Sequence, residues 1–297
     1  MTWLFSALLA GHAYAEEEQP AQLVVSDAER ASLLGSMHDF SSDIYGQLKP
    51  NKGNLFFSPY SITQALAMTY AGAADQTAIE MQTVLHFRMN MEYTHATMQD
   101  LLKGKDRSGA YTFHTANGLW VQKDYDILPQ FSETADKNYN AKVSTLDFEK
   151  APQDAAGTIN SWIEEKTAGK IKELITPDAI TSETRLILTN AVYFRADWQD
   201  AFLKNNTHQE EFFVNPGQNS TGWMMNRVCT NCRYGDTDAY QAVAMPYKGG
   251  EMEMVMFLPR DKSGLEAFEE KLNPQTLREA LESLTMDNDV NITLRVS

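Results

Sequence analysis

Cysteine is nearly absent from these 297 residues: Cys229 and Cys232, spaced C-x-x-C inside NRVCTNCRYG, are the only two. A structural zinc site needs four ligands, and no second pair or nearby histidine couple supplies the others. A thioredoxin-type redox motif would open a helix after a strand, whereas this one sits between turn-forming residues. It reads as a small loop disulfide in an exported protein. Positive charge is short as well. Twenty-five basic residues stand against 40 acidic ones, and a net charge of -15 repels phosphate backbones and anionic headgroups. Nucleic acid and a membrane surface are therefore excluded as expected partners. No apolar run reaches the length that spans a bilayer. G-x-S-x-G, H-E-x-x-H, a Walker loop and G-x-G-x-x-G are all missing, and the six histidines are scattered, none with a second histidine or a cysteine at i+3 or i+4. Neither an enzyme nor a bound metal or cofactor is expected.

What is present is the make-up of a compact folded protein, 43% hydrophobic and 10% aromatic. Residues 1–15 hold an apolar stretch from Trp3 to Leu9 and end in Ala13-Tyr14-Ala15, a small-x-small pattern that reads as a signal-peptidase site. Acidic Glu16 to Glu18 would then open a mature single domain, 16–297, in an extracellular, periplasmic or cell-surface compartment.

Ser26 to Lys49 is amphipathic at helical spacing through Leu33, Met37, Phe40 and Ile44. Leu55 to Phe57 reads as a short buried strand. Ser58 can cap a helix whose first position is Pro59, and Asp75 a further helix carrying Ile79 and Met81. Thr112 to Val121 and the apolar run LILTNAVYF, Leu186 to Phe194, read as strands, with a helix through Ile159, Trp162 and Ile163 between them. Gly169 can end that helix. Val243 to Tyr247 and Met252 to Leu258 form a hairpin over Lys248-Gly249-Gly250. Strands and helices mix without regular alternation, so the expected class is α+β.

Four blocks carry a resemblance: NLFFSPYSITQALAMTYAGAADQTAIEMQTVL, INSWIEEKTAGKIKEL, LTNAVYFRADWQDAF and AVAMPYKGGEMEMVMFLP. In order and spacing they look like signature blocks of the serpin family. The resemblance implies a large central mixed sheet with smaller sheets and surrounding helices. It also implies an inhibitor of serine, or less often cysteine, endopeptidases, in which a cleaved reactive loop inserts into the central sheet and traps the protease. The driving force is stored in a metastable fold.

On the same resemblance, Ser58, Ser61 and Asn190 match the polar cluster where the central sheet parts, Trp198 the tryptophan at its top, and Thr158 to Lys170 the helix lying across it. The residues agree independently, since Asn190 interrupts an apolar strand and two serines at a buried helix start can meet its hydrogen bonds. Glycine is usual in the family where Asp75 stands, a departure expected to be tolerated because aspartate can cap the helix. DNDVNITLRVS looks like a strand start whose family continuation reads Leu-Pro-Lys-Phe, but Leu294 is followed by Arg295-Val296-Ser297. The hinge and reactive loop are thus expected to be absent from this chain, leaving as alternatives a non-inhibitory binding module or a non-functional truncated product. Heparin is not expected as a partner, because between His86 and Arg107 four basic residues face Glu92, Asp100 and Asp106. The sequons at Asn205 and Asn219 would be glycosylated if a eukaryote secretes the chain, with Asn291, in a presumed strand, the weakest acceptor.

Overall fold

A computed structural model describes residues 23–51, 53–103, 111–215, 217–287 and 289–296. The expected signal peptide, 1–15, lies outside them. Helix α1, Asp27–Leu48, starts with a capping box in which Ser26 Oγ accepts from the Glu29 N–H and the Glu29 carboxylate accepts from the Ser26 N–H. There follow α2 (Pro59–Tyr70), α3 (Asp75–Val84), α4 (Met91–Leu102), β1 (Tyr111–Gln122), α5 (Pro129–Tyr139), β2 (Lys142–Leu146), α6 (Pro152–Lys166) and β3 (Leu186–Ala196). The second half holds β4 (Thr207–Asn215), β5 (Gln218–Cys229), β6 (Cys232–Asp236), β7 (Tyr240–Pro246), β8 (Glu253–Pro259), α7 (Leu265–Lys271), α8 (Pro274–Ser283), β9 (Thr285–Asp287) and β10 (Val290–Arg295).

The first sheet is mixed, in the order β2-β1-β3: β1 runs parallel to β2 and antiparallel to β3. Because side chains alternate along a strand, Leu119 and Val121 of β1 enter one core with Leu33, Met68 and Tyr139, while Ala116 and Trp120 enter another with Ile159 and Ile163 of α6. Helices thus cover both faces. Helices packed against both faces account for LILTNAVYF being nearly continuous in apolar residues instead of alternating, although most of its side chains are half-buried and only Thr189 and Ala191 are fully enclosed. The other two sheets, β10-β5-β4 and β8-β7-β6-β9, are antiparallel.

Three expectations need correction. Leu55 to Phe57 form no strand; no partner strand lies beside them among the described residues, and Phe56 is 98% exposed. The helix expected over Thr158 to Lys170 runs instead from Pro152, preset for a first helical turn, to Lys166, where Ala168 and Gly169 turn into left-handed backbone at φ 50° and 73°. Asp75 does not cap α3: the N-cap is Ala74, which makes no side-chain cap bond, and Asp75 is the first helical residue at φ 48°. That left-handed conformation is why glycine suits the position, and aspartate is among the few other residues that tolerate it. Asp75→Ala should therefore lower stability by about 1–2 kcal/mol, while Asp75→Gly should leave it unchanged or higher. Urea unfolding of the three proteins checks this, and an alanine variant as stable as the glycine variant would contradict it.

Candidate functional site

α2 begins at the inner face of β3, and polar side chains meet there in an otherwise apolar setting. Ser61 Oγ donates to Asn190 Oδ1. Asn190 Nδ2 donates to Asn117 Oδ1 at 2.6 Å and lies 3.5 Å from Gln64 Oε1. Asn117 and Asn190 are direct cross-strand partners in the β1–β3 register, which places their amides on the α2 side together. The chain of bonds continues: Asn117 Nδ2 donates to the Tyr139 carbonyl at 2.8 Å, and the Tyr139 hydroxyl is 2.6 Å from His95 Nδ1 on α4. Five elements are joined by one polar path.

Ser58 has another role than the one expected of it. Its Oγ accepts from the Ser61 N–H at 3.2 Å as the α2 N-cap and is not bonded to Asn190 among the described residues. It orients Ser61, which then reaches the strand. Asn117, Gln64 and Tyr139 went unnoticed in the sequence, although Gln64 in ITQALAM and Asn117 in HTANGLWV are, like Asn190, polar residues inside apolar patterns. On the opposite face of the sheet Trp120 Nε1 donates to Thr189 Oγ1 at 3.0 Å, and its ring meets Trp162 of α6 edge-on at 5.4 Å.

Trp198 sits just beyond β3, where the first sheet meets the β7 end of the third. It stacks on Tyr247 with ring centres 4.6 Å apart and planes 11° from parallel, and the two backbones form an antiparallel bridge. Phe194 closes the other side of Tyr247 edge-on at 5.2 Å. Cys229 and Cys232 are joined as a disulfide, both fully buried. Asn205 is exposed in a short 3-10 turn, Asn219 is exposed near the start of β5, and Asn291 is exposed in β10. In the region weighed for heparin, Arg88 pairs with Asp39, and Lys103 lies 3.9 Å from Asp100, which Arg30 also holds; Lys105, Asp106 and Arg107 lie outside the described residues.

A family model described as serpin (serine protease inhibitor) matches residues 35–296. The chain belongs to the serpin family. It is 32% identical over 280 residues to an uncharacterized serpin-like protein of Methanosarcina mazei, covering 91% of this chain and 64% of that one. To the leukocyte elastase inhibitor of Bos taurus it is 37% identical over 248 residues, covering 81% and 65%. It thus spans about two thirds of the length of these relatives. Among solved structures, emu ovalbumin superposes with a TM-score of 0.84 at 26% identity, covering 89% of this chain and 73% of that one. A cleaved serpin 42Da gives 0.83 at 30% identity, with 90% and 72% covered. The α+β serpin fold is therefore established, and the Asn190 path lies within the matched region.

Two outcomes test the path. Asn190→Leu would leave half-buried Ser61 and buried Asn117 each short of a partner, and should cost about 1–3 kcal/mol of unfolding free energy. An unchanged denaturation midpoint would show that Asn190 does not tie α2 to the sheet. The second outcome concerns His95, which is buried on α4 with its Nε2 unpartnered among the described residues. Burial pushes its pKa from 6.5 down to about 4. The unfolded chain then binds the extra proton between these values, so stability is complete above pH 6.5 and drains as pH falls toward 4, by roughly 3 kcal/mol in all. His95→Gln should flatten that part of the stability–pH curve.

Proposed function

We propose that this serpin chain forms the body of an exported inhibitor of serine-type endopeptidases, acting by reactive-loop trapping in a product that carries the loop. The observation that supports this reading best is the hydrogen-bonded path through Ser61, Asn190 and Asn117 at the centre of β3. A sheet that parts beside β3 must exchange neighbours without exposing a dry apolar seam. Neutral amides and hydroxyls suit that demand, because each bond contributes only about 0.5–1.5 kcal/mol net and can be re-formed with a new partner. The buried Gln64 Nε2 has no partner among the described residues and gives α2 a further donor there. A relative named as a leukocyte elastase inhibitor, 37% identical, supports a protease as partner. Export rests on the Trp3–Leu9 stretch and Ala13-Tyr14-Ala15.

A second reading is a non-inhibitory module that accepts a strand from another chain. It is favoured by the place of β3 at the edge of its sheet among the described residues, since an unpaired edge is a template for β-augmentation. One experiment separates the two. A form of the protein that carries the reactive loop is incubated with elastase-, trypsin- and chymotrypsin-like endopeptidases, and separately with a labelled strand-length peptide. The inhibitor reading expects an SDS-resistant adduct with one protease class. Cleavage without an adduct would overturn it, and peptide binding in that case would favour the module.

A further inference from the structure

The Cys229–Cys232 pair lies apart from the Asn190 path, and protease trapping makes no use of it. Cys229 ends β5 and Cys232 begins β6, so the bridge fastens the second sheet to the third at their junction. Thr230 and Asn231 between them are exposed, although both sulfurs are fully buried. Arg227 lies over the bridge with Nη2 3.0 Å from Cys229 Sγ and 3.7 Å from Cys232 Sγ. Its Nη1 donates to the Asp200 carbonyl, its guanidinium carbon sits 5.1 Å above the Phe202 ring, and the residue is only 8% exposed.

This cation is poorly matched. Arg227 Nε finds no acceptor among the described residues, and the Asp200 carboxylate stands 4.0 Å from Nη1 with its own buried Oδ2 unpartnered. Arg227 and Asp200 supply the charge at this spot. The residues packed around the sulfurs from β7 and β10 are apolar: Met245, Val290 and Ile292. A guanidinium so enclosed faces a neutral disulfide, where an anion in contact would be far better accommodated.

We propose that Cys229–Cys232 is a reversible dithiol–disulfide site in which Arg227 binds the Cys229 thiolate of the reduced form. The cation takes the part that a helix N-terminus plays in helix-opening C-x-x-C motifs. The co-reactant is a dithiol. One of its thiolates attacks a sulfur of the bridge to give a mixed disulfide, and its second thiol displaces the protein sulfur. The bridge gains two electrons and the dithiol becomes a disulfide. Of the two protons released, one ends on Cys232 and one passes to solvent, leaving Cys229 as thiolate against Arg227. Because Arg227 stabilises the reduced form selectively, the pair is easier to reduce than a bridge in purely apolar surroundings. Reduction also unfastens β5 from β6 inside the cluster against which Trp198 packs.

The full chain, folded and reduced with dithiothreitol, is alkylated with iodoacetamide across pH 5–10, and each cysteine is followed by mass spectrometry. Cys229 is expected to reach half-maximal reactivity at least one pH unit below the ordinary thiol value of about 8.5. Arg227→Lys should keep most of that displacement and Arg227→Met should abolish it. In a glutathione redox buffer the wild type should show at least a tenfold higher reduced-to-oxidised ratio than Arg227→Met. Should Arg227→Met fail to fold, the wild-type and Arg227→Lys profiles decide alone. Half-maximal reactivity of folded wild-type Cys229 at or above pH 8.5, or a bridge that dithiothreitol reduces only in denaturant, would overturn the proposal.

Discussion

The amide of Asn190 is the constraint from which the arrangement of the first half follows. A half-buried amide between a strand and the helices packed on it meets little water, so its atoms are matched mainly by protein. Ser61 meets its oxygen and Asn117 its nitrogen. Each partner is held in turn, Ser61 by the cap at Ser58 and Asn117 by the Tyr139 carbonyl. Apolar contacts between α2 and β3 would tolerate sliding, because burial is indifferent to direction. Hydrogen bonds are not indifferent, and this set fixes how far along β3 the helix starts.

The outer face of the same sheet is fixed by different means. Trp120 is fully buried, and its indole N–H reaches the hydroxyl of Thr189 on the neighbouring strand. Gly118 makes room: a Cβ there would stand 2.5 Å from Thr189 Oγ1 and 2.6 Å from Trp120 Nε1. Trp162 then meets Trp120 edge-on, and Lys142 of β2 lies 5.4 Å over the Trp120 ring. An aromatic pair, one polar handle and one glycine thus position α6 over the sheet, with Ile159 and Ile163 providing the buried area. The two faces divide the work. Inside, a path of small polar groups can exchange partners; outside, large rings anchor a helix.

Much of this was legible because its causes are local. Pro59 after Ser58 and the double glycine at 249 and 250 each satisfy a requirement within a few residues, and each marks its element correctly. Asn190 was legible as a buried amide because its own strand is apolar. Its partners were not, since Gln64 and Asn117 stand 126 and 73 residues away and only the fold brings them together. Leu55 to Phe57 misled for the opposite reason: an apolar triplet signals a strand only if another strand lies beside it. Asp75 misled because capping and left-handed backbone favour the same residue type, and sequence alone does not separate them.

The molecule contains two buried polar centres of unlike character, and the difference governs what each can do. The Asn190 path is neutral, so breaking one of its bonds leaves an unmet dipole whose cost is small enough to be offset by a new partner. Arg227 carries a full charge in a cluster of methionine, valine and isoleucine side chains, where the nearest carboxylate is not in hydrogen-bond contact. Conformational rearrangement would not relieve that charge unless Arg227 reached water, which its packing on Phe202 and the cystine opposes. A change in the charge of the group it touches would relieve it, and the sulfurs are the atoms in contact that can make that change. The neutral centre therefore suits motion of strands, and the charged one suits chemistry at a fixed place.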